Sequence, residues 1–257
     1  MTLPSFEQHG NGRAVIFLHG IGSGKEGWHH QITPVVEAGF TFIAIDAPGF
    51  GNTPLPAEPG FATHRQSVLD VMDHLEIASA ILVGHSLGGM TAQDIAAEQP
   101  GRVDGLVLSA TSPAFGRPDG DFQRQFLKSR LEPFEQGLSM AEFAAQFSSR
   151  LLAKNSTDAA LREVKRVLSR IDIAAYKSAM MTLTQFDRRA ALADIAVPCL
   201  LIAGDEDANA PAQMMEKTAS KIAGAELVVL PETGHMAPVE NPDGFNRAVV
   251  GFLEQFA

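Results

Sequence analysis

Six short apolar runs constrain this chain more than any other feature. They are Ala14-Val-Ile-Phe-Leu18, Thr41-Phe-Ile-Ala-Ile45, Ala80-Ile-Leu-Val83, Gly105-Leu-Val-Leu108, Cys199-Leu-Leu-Ile202 and Glu226-Leu-Val-Val-Leu230. Runs that are apolar at consecutive positions fit strands buried on both faces, as in a parallel sheet held between two helix layers. Segments 63–75, 87–98, 212–222 and 244–256 read as helices between them. The alternation predicts an α/β fold, with a mostly parallel central sheet and helices on both faces.

One interval breaks the rhythm. From Ser112 to Asp187 no strand-like run occurs, and the chain reads as amphipathic helices over 121–132, 139–152, 157–171 and 173–186. A helical block interrupting a βα series is expected at the C-terminal edge of the sheet, where open α/β sheets bind ligands. A chain of 257 residues suits one core with such an insertion. The expected organisation is a core over 1–111 and 188–257, with 112–187 as a helical cap.

Composition decides the partners. A net charge of −10 with no Lys/Arg cluster excludes a nucleic-acid partner, whose phosphates require concentrated positive charge. No apolar run approaches the roughly 20 residues of a membrane span, and the start, Met1-Thr-Leu-Pro-Ser-Phe-Glu-Gln8, has no basic or apolar leader region. The single cysteine, Cys199, sits inside a strand-like run, so a buried, inert thiol is expected. These features point to a cytoplasmic protein acting on a small molecule, of undetermined oligomeric state.

The chemistry lies at the end of the third run. In Gly84-His-Ser-Leu-Gly88 a serine stands between glycines at a strand-to-helix junction, the context of a nucleophile elbow. Glycines at both ends permit a turn tight enough to force the middle residue into strained backbone and present its hydroxyl. Ser86 then begins a helix, and the amide of Leu87 is free to donate to an oxyanion. A serine hydroxyl needs a base, and the base an orienting carboxylate. Leu201-Ile-Ala-Gly-Asp-Glu-Asp207 supplies acids after one strand, and Leu230-Pro-Glu-Thr-Gly-His235 a histidine after the next.

His19-Gly-Ile-Gly22, Asp46-Ala-Pro-Gly-Phe-Gly51, the elbow, Gly204-Asp-Glu-Asp207 and Gly234-His-Met-Ala-Pro-Val-Glu-Asn-Pro242 follow one another in this order. With these segments the chain resembles the α/β-hydrolase superfamily over nearly its whole length. The resemblance implies Ser86 as nucleophile, Asp207 as acid, His235 as general base and the amides of Ile21 and Leu87 as oxyanion donors, with no metal or organic cofactor. Departures are Thr53, where relatives often have Ser, and Ala210, where they often have Thr or Ser; neither side chain should touch the triad chemistry. The opening strands of the fold look shortened before Ala14.

Neighbouring residues admit more than one role. Asp205 competes with Asp207, although the family's spacing favours Asp207. Glu232 and Asp94 read as solvated. Adjacent His29 and His30 should point to different faces of a helix, which argues against a shared metal. His85 reads as a shaping neighbour of the elbow. Trp28 either lines a pocket or braces the loop before it. Met180, Met181, Phe186, Met90 and Met236 are core or an adaptable apolar pocket. Of these residues Trp28, Met180 and Met236 are the candidates for substrate contact. Arg124, Lys128 and Arg130 form either a carboxylate-recognition patch or a solvated helix face.

The implied reaction is acyl transfer through Ser86. Serine at the elbow argues against haloalkane dehalogenases and epoxide hydrolases, which carry aspartate there. Within the serine branch the chain resembles small carboxylesterases and enol-lactonases, so cleavage of an ester or lactone is expected. Carbon–carbon hydrolases of meta-cleavage products share the triad but usually carry Trp after the histidine and Asn before the serine, where this chain has Met236 and His85. Perhydrolase activity, and a small-molecule receptor that hydrolyses its ligand slowly, are also compatible with these motifs.

Overall fold

The computed structural model describes residues 2–117 and 120–257. The strands are β1 (Phe6–His9), β2 (Ala14–Leu18), β3 (Thr41–Ile45), β4 (Ala80–His85), β5 (Val103–Ser109), β6 (Cys199–Gly204) and β7 (Glu226–Leu230). They form one sheet in the order β1-β3-β2-β4-β5-β6-β7, parallel throughout except for β1, which pairs antiparallel with β3. The core helices are α1 (His29–Glu37), α2 (Phe61–His74) and α3 (Leu87–Glu98), with α8 (Ala212–Ala219), α9 (Ala237–Glu240) and α10 (Pro242–Leu253) after the insertion. Between β5 and β6 lie α4 (Asp121–Glu135), α5 (Met140–Phe147), α6 (Asp158–Leu168) and α7 (Ile173–Leu183).

Period-two alternation sorts the strand residues onto two buried faces. Ile16, Ile43, Leu82, Leu106 and Leu201 pack with Val68 and Met72 of α2, Ile95 of α3 and Met215 of α8. Phe17, Phe42, Val83, Val107 and Ile202 pack with Val35 of α1 and Phe245 and Val249 of α10. Each fully buried side chain of this kind contributes about 1.5–3 kcal/mol, so the rigidity of the site's platform comes from both layers.

A third apolar cluster joins cap to core, uniting Phe134, Phe143, Phe147, Tyr176 and Met180 with Ile21, Leu87, Met90 and Met236. Side-chain caps start the cap helices: Ser139 and Glu142 form a capping box on α5, and Asp172 accepts from the amides of Ala174 and Ala175 on α7. The two ends of the insertion run side by side, with Ala114 bridging Asp187 and Phe115 N donating to Phe186 O.

Two expectations about strands need correcting. β1 is an additional strand: three of its four residues, Glu7, Gln8 and His9, are polar, as an antiparallel edge allows. β7 is not sandwiched; it is the opposite edge, and Val229 is 44% exposed.

The strand order reverses at β2, whose successor β3 lies on one side and β4 on the other. The loops leaving the carboxyl ends of β2 and β4 therefore diverge and leave a crevice between them. Ile21 and Ser86 stand at its two lips.

Candidate active site

Ser86 has φ 52° and ψ −115°, a positive-φ conformation that a non-glycine residue adopts only when its surroundings impose it. The glycines of the elbow explain how. A Cβ on Gly84 would lie 2.5 Å from the carbonyl oxygen of Gly88, and one on Gly88 would lie 2.0 Å from that of Leu18. Backbone thus packs on backbone, and the turn is held by Ser86 N donating to Ser109 O at 2.9 Å and by the Thr111 hydroxyl donating to Ser86 O at 2.7 Å.

His235 comes from the loop after β7 and Asp207 from the loop after β6. His235 Nε2 lies 3.1 Å from Ser86 Oγ, and His235 Nδ1 lies 2.8 Å from Asp207 Oδ2. The other carboxylate oxygen, Oδ1, accepts from the amides of Asn209 at 2.7 Å and Ala210 at 3.0 Å. Burial opposes ionisation of Asp207, yet the His235 imidazole and these two amides together hold its carboxyl below the usual value. An ionised Asp207 can only accept, so the hydrogen of His235 sits on Nδ1 and the Nε2 lone pair faces the serine hydroxyl. Ala210 thus contributes to the triad through its backbone. Asp205 is exposed and, among the described residues, accepts only from Thr233 N, at 3.2 Å.

The amides of Ile21 and Leu87 have no hydrogen-bond partner among the described residues. His19 fixes the first of these loops: Ala47 N donates to its Nε2 at 2.9 Å, which leaves Nδ1–H to donate to Gly20 O at 2.8 Å. Burial holds the His19 pKa below its usual value, so the ring stays neutral and keeps this pair of bonds. His85 lies beside the triad, 5.0 Å from the His235 ring by centroids, and burial and the neighbouring His235 push its pKa down to about 3.

Glu240 organises the histidine loop. Its Oε1 accepts from Gly234 N and Met236 N, each at 3.1 Å, and its Oε2 accepts from Ala153 N at 2.7 Å and the Ser156 hydroxyl at 2.5 Å. His235 N in turn donates to Leu151 O at 2.8 Å. One carboxylate therefore ties the His235 loop to the cap segment 151–156. Glu240 lies inside the Gly234–Pro242 motif, but nothing local in the sequence gives it this part, because its partners in the cap are more than eighty positions away.

Between cap and sheet lies a cavity of about 220 Å³ that opens onto Ser86 and His235. Its wall is mainly apolar and includes Met90, Phe115, Phe126, Phe147, Leu151, Met180 and Met236. Of the cap cations, Arg130 lines it; Arg124 and Lys128 are exposed on α4, with Arg124 beside Asp121.

Three expectations are corrected here. Trp28 does not line the cavity: it is 2% exposed in the core, against Phe17, Phe245 and His85. Asp94 is not solvated: it is 1% exposed and paired with Arg65 and Arg188, which fastens the chain's return from the cap onto α3. His29 and His30 do not diverge. Their ring centroids are 3.8 Å apart, and both face Glu163 of α6, at 3.3 and 3.6 Å. His29 is the first residue of α1 and comes directly off a 3₁₀ turn, so the angular spacing of a regular helix does not govern it. Cys199 is buried as expected, which raises its thiol pKa to about 12.

A serine, an imidazole and a carboxylate in one row at the carboxyl edge of a helix-covered parallel sheet, beneath a helical cap, define a serine hydrolase acting on a small organic substrate. The chain belongs to the alpha/beta hydrolase fold family, whose match covers residues 13–242. It is 30% identical to a 2-hydroxy-6-oxononadienedioate/2-hydroxy-6-oxononatrienedioate hydrolase from Comamonas testosteroni, over 95% of this chain and 88% of that one. An Escherichia coli protein of the same name is 31% identical, over 96% and 90%. Among solved structures it is similar to the enol-lactonase from Burkholderia xenovorans LB400, with a TM-score of 0.88 and 25% identity over 97% of this chain and 96% of that one. No described helix is long and apolar enough to cross a membrane.

Proposed function

We propose that Ser86 is the nucleophile of a hydrolase that cleaves a bond to a carbonyl carbon, with His235 as base, Asp207 as its orienting carboxylate and the amides of Ile21 and Leu87 as the oxyanion donors. The observation that carries this reading is the single hydrogen-bonded row, 3.1 Å from serine to imidazole and 2.8 Å from imidazole to carboxylate. Ser86 Oγ attacks the carbonyl while its proton passes to His235 Nε2, and the two amides receive the developing negative charge. Collapse expels the leaving group, which takes the proton from His235. Water, deprotonated by the same nitrogen, then hydrolyses the acyl-enzyme, so the acyl group gains hydroxyl and the leaving group gains hydrogen.

We assign the scissile bond to a carbon–carbon bond next to a ketone, although the sequence motifs by themselves favour an ester or lactone. Its support is the name shared by the Comamonas and Escherichia relatives. In a 2-hydroxy-6-oxo dienoate the bond becomes breakable in the 2-keto tautomer, in which the 2-hydroxyl proton has moved to C5. The electron pair released at C5 then runs through the conjugated alkene onto the 2-oxo oxygen, and the His235 proton restores the 2-hydroxyl of the leaving dienoate. Cleavage of an ester or lactone is the second reading. It is supported by Met236 and His85, which stand where the carbon–carbon hydrolases usually carry Trp and Asn, and by the likeness to the enol-lactonase.

The test is turnover of 2-hydroxy-6-oxo-6-phenylhexa-2,4-dienoate beside a panel of p-nitrophenyl esters and lactones, with Ser86→Ala as control. Loss of the dienol absorbance with stoichiometric benzoate, absent in the variant, is the expected result. Ser86-dependent turnover of esters or lactones with the dienoate untouched transfers the assignment to the second reading. No Ser86-dependent hydrolysis of any of these compounds overturns both.

A further inference from the structure

Two side chains do not suit the apolar cavity they line. Arg130 projects from α4, and its guanidinium carbon lies 4.3 Å from the ring centroid of Phe147 and 4.9 Å from that of Phe126. No carboxylate stands within ion-pairing distance of it among the described residues; its hydrogen bond is a 3.3 Å contact to the adjacent Ser129 hydroxyl. Tyr176 of α7 is 2% exposed, and its hydroxyl is buried with no hydrogen-bond partner among the described residues. Its ring meets Phe143 at 5.5 Å, and Phe143 stacks on Phe147 at 5.0 Å, so cation and phenol belong to one aromatic cluster.

Each is out of keeping with a sealed apolar pocket. A buried hydroxyl without a partner is uncommon in folded proteins and calls for an explanation, and a guanidinium over aromatic faces retains in-plane N–H donors that the rings leave unused. Both donors serve one kind of occupant: a planar anion that accepts from the guanidinium fork and from the phenol together. The aromatic faces flanking the cation would shield that ion pair from water and strengthen it. Met90, Phe115 and Met180 line the remainder of the cavity and suit an apolar body between the anion and the carbonyl at Ser86.

We infer that Arg130 and Tyr176 form a carboxylate subsite in the cap wall, so that the protein selects small organic acids, holding the carboxylate at the cap and the scissile carbonyl at Ser86. The inference rests on reading this cavity as the substrate site of Ser86. It makes the cap the specificity element, and it applies to a keto acid, a lactone acid and a hemiester alike.

The first test does not depend on turnover. Full-length Ser86→Ala protein is titrated by calorimetry with hexanoate and, separately, with the neutral isostere hexanamide. Hexanoate should bind at least about tenfold more tightly, as a charged hydrogen bond warrants. Adding Arg130→Met should abolish that preference, Arg130→Lys should retain part of it, and Tyr176→Phe should reduce it by a smaller factor. A carboxylate could instead sit at the triad, and a preference that survives Arg130→Met would place it there and overturn the inference. Equal affinity for hexanoate and hexanamide in the parent Ser86→Ala protein overturns it as well. Circular dichroism melts of each variant confirm that the cap is folded.

The second test is kinetic, comparing mono-p-nitrophenyl adipate with p-nitrophenyl hexanoate. Enzyme with intact Ser86 should favour the anionic ester in kcat/KM by about tenfold or more, and the ratio should fall to near one in Arg130→Met. A ratio unchanged by the substitution counts against the subsite. If neither ester is hydrolysed, the ester reading fails while the calorimetry still decides the subsite.

Discussion

Replacing Asp207 by Asn is the sharpest test of how the row of three side chains works. The change keeps shape and removes one charge. Asp207 Oδ1 faces two amide donors, Asn209 N at 2.7 Å and Ala210 N at 3.0 Å, so the carbonyl oxygen of the asparagine must occupy that side. Its NH₂ group is then forced toward His235 Nδ1, where the carboxylate accepted at 2.8 Å. The imidazole has to present a lone pair at Nδ1, and its hydrogen moves to Nε2, facing Ser86. The base is lost without any displacement of atoms. Inversion of this kind lowers kcat by about 10⁴-fold, or about 5.5 kcal/mol in the barrier. The assay is kcat at pH 7.5 on whichever substrate the panel identifies, with thermal unfolding as a control for folding. Asp205→Asn, whose parent carboxylate accepts from Thr233 N and lies outside the row, should leave kcat near that of the parent enzyme. Retention of most activity in Asp207→Asn, or an equal loss in Asp205→Asn, would refute the reasoning.

Other consequences follow from the same contacts. Glu240→Ala orphans three backbone amides and a hydroxyl around the His235 loop, and should destabilise the protein by about 3 kcal/mol or more in urea unfolding, with a fall in kcat. His64 and His85 are buried, with pKa values pushed down to about 4 and about 3 from 6.5. The unfolded chain therefore binds the extra protons, and stability should fall as pH drops from 6.5 toward 4, by up to about 1.4 kcal/mol per pH unit for each ring. Urea midpoints that stay constant between pH 7 and pH 5 would contradict this. Asp207, held low, adds a further loss only below the ordinary carboxylate range. Cys199, with its pKa raised to about 12 by burial, should not react with a thiol reagent at pH 8 until the protein unfolds.

The parts of this molecule legible in its sequence are those whose signal is local. The central strands announce themselves because burial on both faces requires unbroken apolar runs, and the elbow because only a strand, a glycine-flanked serine and a helix in succession give that turn. β1 escapes notice because an antiparallel edge needs no apolar run. Asp94 reads as an ordinary polar position on a helix, since the partner that buries it, Arg188, lies ninety-four residues away. Trp28 follows the His19–Gly22 loop in sequence, yet nothing local says whether its ring turns toward the cavity or the core. Divergence of His29 and His30 presupposes a regular helix at a position where the chain is only entering one. Arg130 is distinguishable from Arg124 and Lys128 only once the packing of α4 fixes which of its faces meets the cavity.

The most direct measurement of the central claim is covalent labelling of the nucleophile. Native protein is incubated with a serine-directed phosphonate and digested, and the adduct is located by mass spectrometry, in parallel with His235→Ala. The account predicts one adduct per chain, on Ser86, formed far more slowly when His235 is absent. An adduct on another residue, or catalytic turnover that persists after Ser86 is fully modified, would contradict it.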